Sequence, residues 1–167
     1  MRRPVLSLLA GAAFLCALPA SAETPITPAR PAPVPPYGAP VSLEVAKRLV
    51  AAAEAEARRQ GWTMAIAVVE PNGALVAYVK MDGTQYGSVE VSQAKARTAA
   101  RFRRPSKAFS DSVEAGRVQV MSLDGVVAIE GGVPIVIDGR MVGAIGVSGG
   151  TSEQDGLVAA AALATLK

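Results

Sequence analysis

The amino-acid sequence predicts a single α+β domain, in which a sheet of about five mostly antiparallel strands carries helices packed on it. The predicted elements run in the order helix, two strands, helices, three strands and helix, which favours one sheet covered by helices. The dipeptides Gly131-Gly132 and Asp138-Gly139 separate the last three apolar runs, and such dipeptides are typical of tight hairpin turns. The chain has 167 residues, a length that fits one domain.

The first 22 residues have the pattern of a secretory signal peptide. Arg2 and Arg3 precede an apolar run over residues 5–18, and Ala20 and Ala22 fit a cleavage site that leaves Glu23 first. Because this run is shorter than the roughly 20 residues that span a bilayer, we expect a periplasmic or secreted protein with no membrane anchor after processing.

Residues 23–41 are predicted to be a proline-rich linker, and residues 42–167 the folded domain. Seven prolines lie within residues 25–40, and this composition favours extended chain because proline lacks a backbone donor. The domain is expected to open with a helix that Ser42 caps and Gly61 ends. A hairpin follows, because two β-rich runs, residues 62–69 and 74–81, flank a turn.

The second half of the domain begins with a helix that starts near Ser88 and ends before Pro105. The inward face of this helix is predicted to carry Val91, Ala94, Thr98 and Phe102. Thr151 or Ser152 is expected to cap the last helix. The remaining predicted elements are a short helix over residues 106–114 and strands over residues 126–130, 133–137 and 140–147.

The composition excludes several kinds of chemistry. There is no histidine, and the single cysteine, Cys16, lies in the predicted signal peptide. Gly146 to Gly150 fit the G-x-S-x-G pattern of a nucleophile elbow, but a Ser-His-acid triad cannot form without histidine. The net charge falls from 17 minus 14, or +3, to 15 minus 14, or +1, when Arg2 and Arg3 are removed. A nearly neutral domain gives no reason to expect a nucleic-acid partner.

Two places in the sequence are suited to an anionic ligand. Gly149 and Gly150 precede the last helix, where free N–H groups and the helix dipole favour an anion. Arg97, Arg101 and Arg104 are spaced to form one stripe on a helix, and guanidinium groups bind carboxylates and phosphates. An ordinary glycine turn and a solvated helix face are the alternatives.

The sequence resembles the GlcG/HbpS-like haem-binding family, which is also found as the C-terminal domain of PduO-type proteins. The resemblance covers nearly all of the predicted domain. It implies a sheet of about five strands with packed helices, and assembly into homo-oligomers. The motifs that carry it are Val69-Glu70-Pro71-Asn72-Gly73, Lys80-Met81-Asp82-Gly83, Lys95-Ala96 with Thr98-Ala99, Gly131-Gly132-Val133-Pro134, Asp138-Gly139 with residues 143–149, and Gln154-Asp155.

The resemblance further implies haem or a related tetrapyrrole as the ligand, although no histidine is present to hold its iron. The remaining candidates for the iron ligand are a lysine, a hydroxyl, water, or one of Met64, Met81, Met121, Met141, Tyr78 and Tyr86. Tyr86 lies in a loop-like stretch and is expected to be the more accessible tyrosine. The haem propionates would find partners in Lys80, Lys95, Arg97 or Arg101.

Three functions remain open at this point. The first is an exported small binding protein for haem or another flat anionic ligand. The second is an enzyme acting on a small carboxylic acid, with Lys80, Asp82 or Lys95 as its acid or base. The third is a sensory or interaction module that needs no ligand. The residues do not decide whether the protein catalyses a reaction.

Overall fold

The computed structural model describes residues 33–166, and the predicted signal peptide lies outside them. Among the described residues, no helix has the length and apolarity needed to cross a membrane. The elements are helices α1 (Leu43–Gln60), α2 (Gly87–Phe102), α3 (Lys107–Glu114) and α4 (Ser152–Leu163), strands β1 (Ala65–Val69), β2 (Leu75–Lys80), β3 (Gly132–Ile137) and β4 (Arg140–Ser148), and 3₁₀ helices Val118–Ser122 and Ala164–Leu166.

The four strands form one antiparallel sheet in the order β2-β1-β4-β3. Alternate side chains of β1 point to opposite faces. Ile66 and Val68 belong to the larger core, which the sheet forms with α1 and α4. Ala67 and Val69 belong to a smaller core formed with α2. The α+β class is therefore confirmed, and the sheet lies between two helical layers.

The sheet has four strands in the described chain, whereas about five were predicted, because residues 126–130 do not form a strand. The side chains of Thr98 and Ser106 form hydrogen bonds with backbone groups of this run. Val127 N–H donates to the Thr98 hydroxyl at 2.9 Å, and the Ser106 hydroxyl donates to Ile129 C=O at 2.6 Å. Two backbone groups of the run are therefore bonded without a neighbouring strand.

The predicted caps of the first and last helices are confirmed. The Ser42 hydroxyl accepts from Val45 N–H at 3.3 Å, and Gly61 ends α1 in the left-handed conformation at φ 73°. Thr151 begins α4 with a capping box that Gln154 completes. These local signals set the ends of both helices that pack on one face of the sheet.

The predicted inward face of α2 is wrong except at Thr98. Val91, Ala94 and Phe102 are only partly buried. The reason is the close approach of the helix to β4 at Gly146, where an added Cβ would lie 2.0 Å from Ser92 C=O. Small side chains make that approach possible. The pattern of apolar and polar residues in α2 therefore does not show which face of the helix is buried. The buried residues of α2 are Ser88, Ser92, Lys95, Ala96, Thr98, Ala99 and Ala100.

The end of the predicted linker is bonded to the domain. Gly38 N–H donates to Met141 C=O, and Met141 N–H donates to Pro36 C=O, both at 2.8 Å. The Tyr37 hydroxyl donates to Arg101 C=O at 3.0 Å, and the guanidinium of Arg103 lies 4.8 Å from the Tyr37 ring centroid. Residues 36–38 thus extend along the start of β4.

Candidate functional site

One end of the sheet brings together most of the residues that the sequence proposed as ligand-binding. Ala65 lies opposite Lys80 of β2 on one side and Ser148 of β4 on the other. The Ser148 and Ser88 hydroxyls are 3.1 Å apart, which places the start of α2 at the same end. We call the following residues the sheet-end group: Lys80, Met81, Asp82, Tyr86, Gly149 and Gly150.

Beneath this end lies a buried ion pair that joins α2 to α4. Lys95 Nζ donates to Asp155 Oδ2 at 2.7 Å and to Val147 C=O at 3.2 Å. The Lys95 side chain is 1% exposed and that of Asp155 is 3% exposed. Lys95 therefore does not reach a ligand on the surface, because its charge is already neutralised inside the protein.

The glycine turn before α4 binds an anion that belongs to the chain itself. Gly150 N–H donates to Asp155 Oδ1 at 3.1 Å. Burial raises the pKa of the Asp155 carboxyl, although Lys95 and the N–H groups of Gly149 and Gly150 act in the opposite direction. An external anion at this turn would have to displace the Asp155 carboxylate.

The Gly131-Gly132 segment closes over the ion pair and leaves no room for side chains. A Cβ at Gly131 would lie 2.9 Å from Lys95 Nζ, and one at Gly132 would lie 2.2 Å from Lys95 C=O. The Ser106 hydroxyl accepts from Gly132 N–H at 2.9 Å. Three of the motifs that carry the family resemblance, those containing Lys95, Gly131 and Asp155, therefore meet at one buried place.

The exposed part of the sheet-end group is Tyr86 with Lys80. Tyr86 is 89% exposed, and Lys80 Nζ lies 5.6 Å from its ring centroid, within the range of a cation–π contact. Asp82 is also exposed. Met81, in contrast, is buried, and its sulfur accepts from Met64 N–H at 3.4 Å. Met81 is therefore a core residue.

Arg97 and Arg101 lie on the second half of α2, away from the sheet-end group. Arg97 donates to Gln93 Oε1 at 3.1 Å, and Arg101 donates to Asp124 C=O at 2.9 Å. At about 1.5 Å per residue, Arg101 is about 21 Å along the helix axis from Gly87. Arg104 lies beyond the end of α2, so it does not continue the predicted stripe. The proposed ligand residues thus form two separate surfaces.

The candidate iron ligands differ strongly in accessibility. Met64, Met81 and Met141 are buried, whereas Met121 is 56% exposed. The Tyr78 hydroxyl is buried and has no hydrogen-bond partner among residues 33–166. Burial, and secondly the negative charge of Glu90, raise the pKa of Tyr78.

Sequence reasoning did not find the ion pair as such. Lys95 was proposed as a propionate partner or an acid–base group, and Asp155 was named as part of the motif Gln154-Asp155. The two residues are 60 positions apart, so local patterning does not connect them. The only available signal was that Lys95 lies next to the small apolar residues of α2.

The described residues form a small α+β domain, in which a four-stranded antiparallel sheet lies between two helical layers and a buried Lys–Asp pair joins α2 to α4. The chain belongs to the HbpS-like family, described as haem degrading protein HbpS-like, whose profile matches residues 41–164.

Two curated relatives are similar over most of their length. Protein GlcG of Escherichia coli K12 is 41% identical over 108 residues, which are 65% of this chain and 81% of GlcG. An uncharacterized 15.0 kDa protein from the dhaT-dhaS intergenic region of Citrobacter freundii is 34% identical over 129 residues, which are 75% of this chain and 91% of that protein.

Two solved structures have the same fold. The crystal structure of HbpS matches with a TM-score of 0.73 and 28% identity, covering 78% of this chain and 92% of HbpS. The crystal structure of the PduOC:heme complex matches with a TM-score of 0.69 and 27% identity, covering 75% of this chain and 94% of that chain. The family identified from the sequence motifs is confirmed.

Proposed function

We propose that this protein is an exported haem-binding protein that takes up haem, or a closely related tetrapyrrole, on its surface. The observation that carries the proposal is the shared fold with a protein solved as a haem complex, 94% of whose chain is matched. The family description also refers to haem. These findings concern relatives, and the residues of this chain must therefore suit the same ligand.

The accessible residues suit haem in charge and in donor chemistry. Haem has an apolar ring, two anionic propionates and an iron that needs an axial ligand. The exposed Arg97 and Arg101, together with the half-buried Lys80, offer cations to the propionates. Methionine sulfur and tyrosine oxygen both serve as haem ligands in proteins, and Met121 and Tyr86 are exposed. When bound, haem would supply its usual chemistry of gas binding or electron transfer.

Lys95, Gly149 and Gly150 are left out of this ligand surface. The Lys95 ammonium is bonded to Asp155, and Gly150 N–H donates to the same carboxylate. The burial of Lys95 also weakens the alternative of an enzyme that uses it as an acid or base, because a substrate cannot touch it. The residues proposed to bind haem are therefore exposed or half-buried.

Titration of the mature protein, beginning at Glu23, with haemin tests the proposal. We expect a saturable change in the Soret band and a spectrum without bis-histidine character, because the chain contains no histidine. A titration of haemin into buffer alone controls for haemin dispersion, and free methionine controls for unspecific thioether ligation. A linear absorbance rise without saturation would contradict haem binding and favour a ligand-free interaction module.

A further inference from the structure

We propose that the 3₁₀ helix Val118–Ser122 and the following Leu123 form the haem contact surface, and that Met121 provides a ligand to the iron. This inference rests on the proposed function, since it assigns the place of the same ligand. The surface consists of Val118, Met121 and Leu123, and we call it the 118–123 surface. Their exposed fractions are 62%, 56% and 42%.

The backbone geometry places two of these side chains on one face. In a 3₁₀ helix there are three residues per turn, so side chains at positions i and i+3 lie one above the other. Val118 and Met121 have this spacing. No residue of this 3₁₀ helix is buried. The described chain therefore presents a small apolar face that its own core does not cover.

Accessibility separates Met121 from the other methionines of the described chain. Met64 and Met141 are fully buried, and the Met81 sulfur is engaged with Met64 N–H. An iron ligand must be reached from outside, because the described residues enclose these three thioethers within the cores. Met121 is thus the one described methionine whose sulfur can approach an external iron without unfolding the domain.

The surroundings favour Met121 over the exposed phenol of Tyr86. Tyr86 lies beside the cation of Lys80 and follows the exposed residues Asp82 and Gln85. A haem ring on that loop would cover mainly polar surface. Met121 shares a face of the 3₁₀ helix with Val118, and the exposed Leu123 follows two residues later. These apolar side chains suit the apolar ring, since burying apolar area is favourable at about 25 cal/mol per Å².

Cations lie where the propionates of a haem on this surface could meet them. Arg117 directly precedes the 3₁₀ helix and is exposed. Arg101 donates to Asp124 C=O at 2.9 Å, and Asp124 is three residues from Met121, so their Cα atoms are at most about 11 Å apart. The Asp124 carboxylate lies 3.7 Å from Arg101 and would compete with a propionate for it. Arg117 has no carboxylate among its hydrogen-bond partners in the described chain.

The decisive experiment compares four forms of the mature protein by haemin titration, in the ferric form and after reduction with dithionite. Met121→Leu keeps an apolar side chain of similar size and removes the sulfur. Val118→Asp keeps the sulfur and charges the apolar face. Tyr86→Phe tests the exposed phenol as the alternative iron ligand. Light scattering of each form gives the oligomeric state.

We expect Met121→Leu to lose the ferrous absorption bands that thioether ligation would give the wild type and to bind haemin at least tenfold more weakly than the wild type. Val118→Asp should weaken binding by a similar factor while retaining those bands at saturation. Tyr86→Phe should match the wild type in both respects. Circular dichroism should be unchanged in all three variants, because each substituted side chain is exposed.

The outcomes separate this inference from the proposed function. If the wild type shows no saturable Soret change, haem binding itself fails. If the wild type binds haemin and Met121→Leu binds it with the same affinity and spectrum, the assignment of Met121 fails while haem binding stands. A spectral change in Tyr86→Phe alone would place the iron at the sheet end. If Val118→Asp changes only the oligomeric state, a second copy covers the surface and the inference is overturned.

Discussion

Replacing Lys95 with methionine should destabilise the domain more than almost any other single change. The variant removes the ammonium group and leaves the Asp155 carboxylate, which is 3% exposed, without its charge partner. Methionine has a similar length, so loss of volume is small. Removing one member of a buried ion pair costs about 3–5 kcal/mol, because the remaining charge stays desolvated.

This cost is large compared with the stability of an ordinary domain, which is about 5–15 kcal/mol. With a urea m-value of about 2 kcal/mol per M, the unfolding midpoint should fall by about 1.5–2.5 M. The single tryptophan, Trp62, packs against the larger core and reports unfolding by fluorescence. Far-UV circular dichroism should give the same midpoint if unfolding is two-state.

Lys107→Met is the matched control, because Lys107 and Asp111 form an ion pair in which both side chains are 52% exposed. Exposed pairs contribute little, so this variant should keep the wild-type midpoint. The double variant Lys95→Met/Asp155→Leu should lose less stability than the sum of the two single losses, because it leaves no unpaired charge. A midpoint drop below about 0.5 M for Lys95→Met, or strict additivity in the double variant, would refute the reasoning.

Burial raises the folded-state pKa of Asp155 above its usual 3.8, so the folded protein binds the proton more tightly than the unfolded chain does. The contribution of this group to the free energy of unfolding should therefore fall as the pH rises from the unfolded-state pKa through the folded-state pKa. Urea midpoints of the wild type and Asp155→Asn between pH 3 and 6 measure the difference, and equal slopes of midpoint against pH would contradict it. Gly146→Ala should prevent tight packing of α2, because the added Cβ would lie 2.0 Å from Ser92 C=O, whereas Gly87→Ala meets no atom within 4 Å and should be neutral by thermal unfolding. Export should leave Glu23 as the first residue, and an intact mass of secreted protein that includes residues 1–22 would disprove the proposed cleavage.

The ends of the first and last helices could be predicted from sequence because each depends on neighbouring residues. Ser42 and Thr151 bond N–H groups three residues ahead, and Gly61 takes the left-handed conformation that ends a helix. Residues 126–130 behave differently. Their backbone bonds depend on Thr98 and Ser106, which no local pattern connects to them, so an apolar run was interpreted as a strand.

The packing of α2 could not be predicted because it depends on a glycine of another element. Without Gly146, the helix could not approach β4 closely, and its larger apolar residues would have been the better inward face. The close approach buries Lys95, which the sequence proposed as a propionate partner or an acid–base group. The burial of Lys95 depends on its ion-pair partner Asp155, which lies 60 residues away in the sequence.

Three of the family motifs lie inside the domain, where they do not contact a ligand. The motifs containing Lys95, Gly131 and Asp155 meet at a buried pair whose atoms bond one another. A side chain enclosed in this way maintains the fold but does not touch a ligand. These motifs therefore identify the domain without identifying what it binds. Residues that contact a ligand must lie on the surface, outside those buried motifs, and Met121 is exposed there. For a chain without histidine, surface residues rather than the three buried motifs would decide how haem is held.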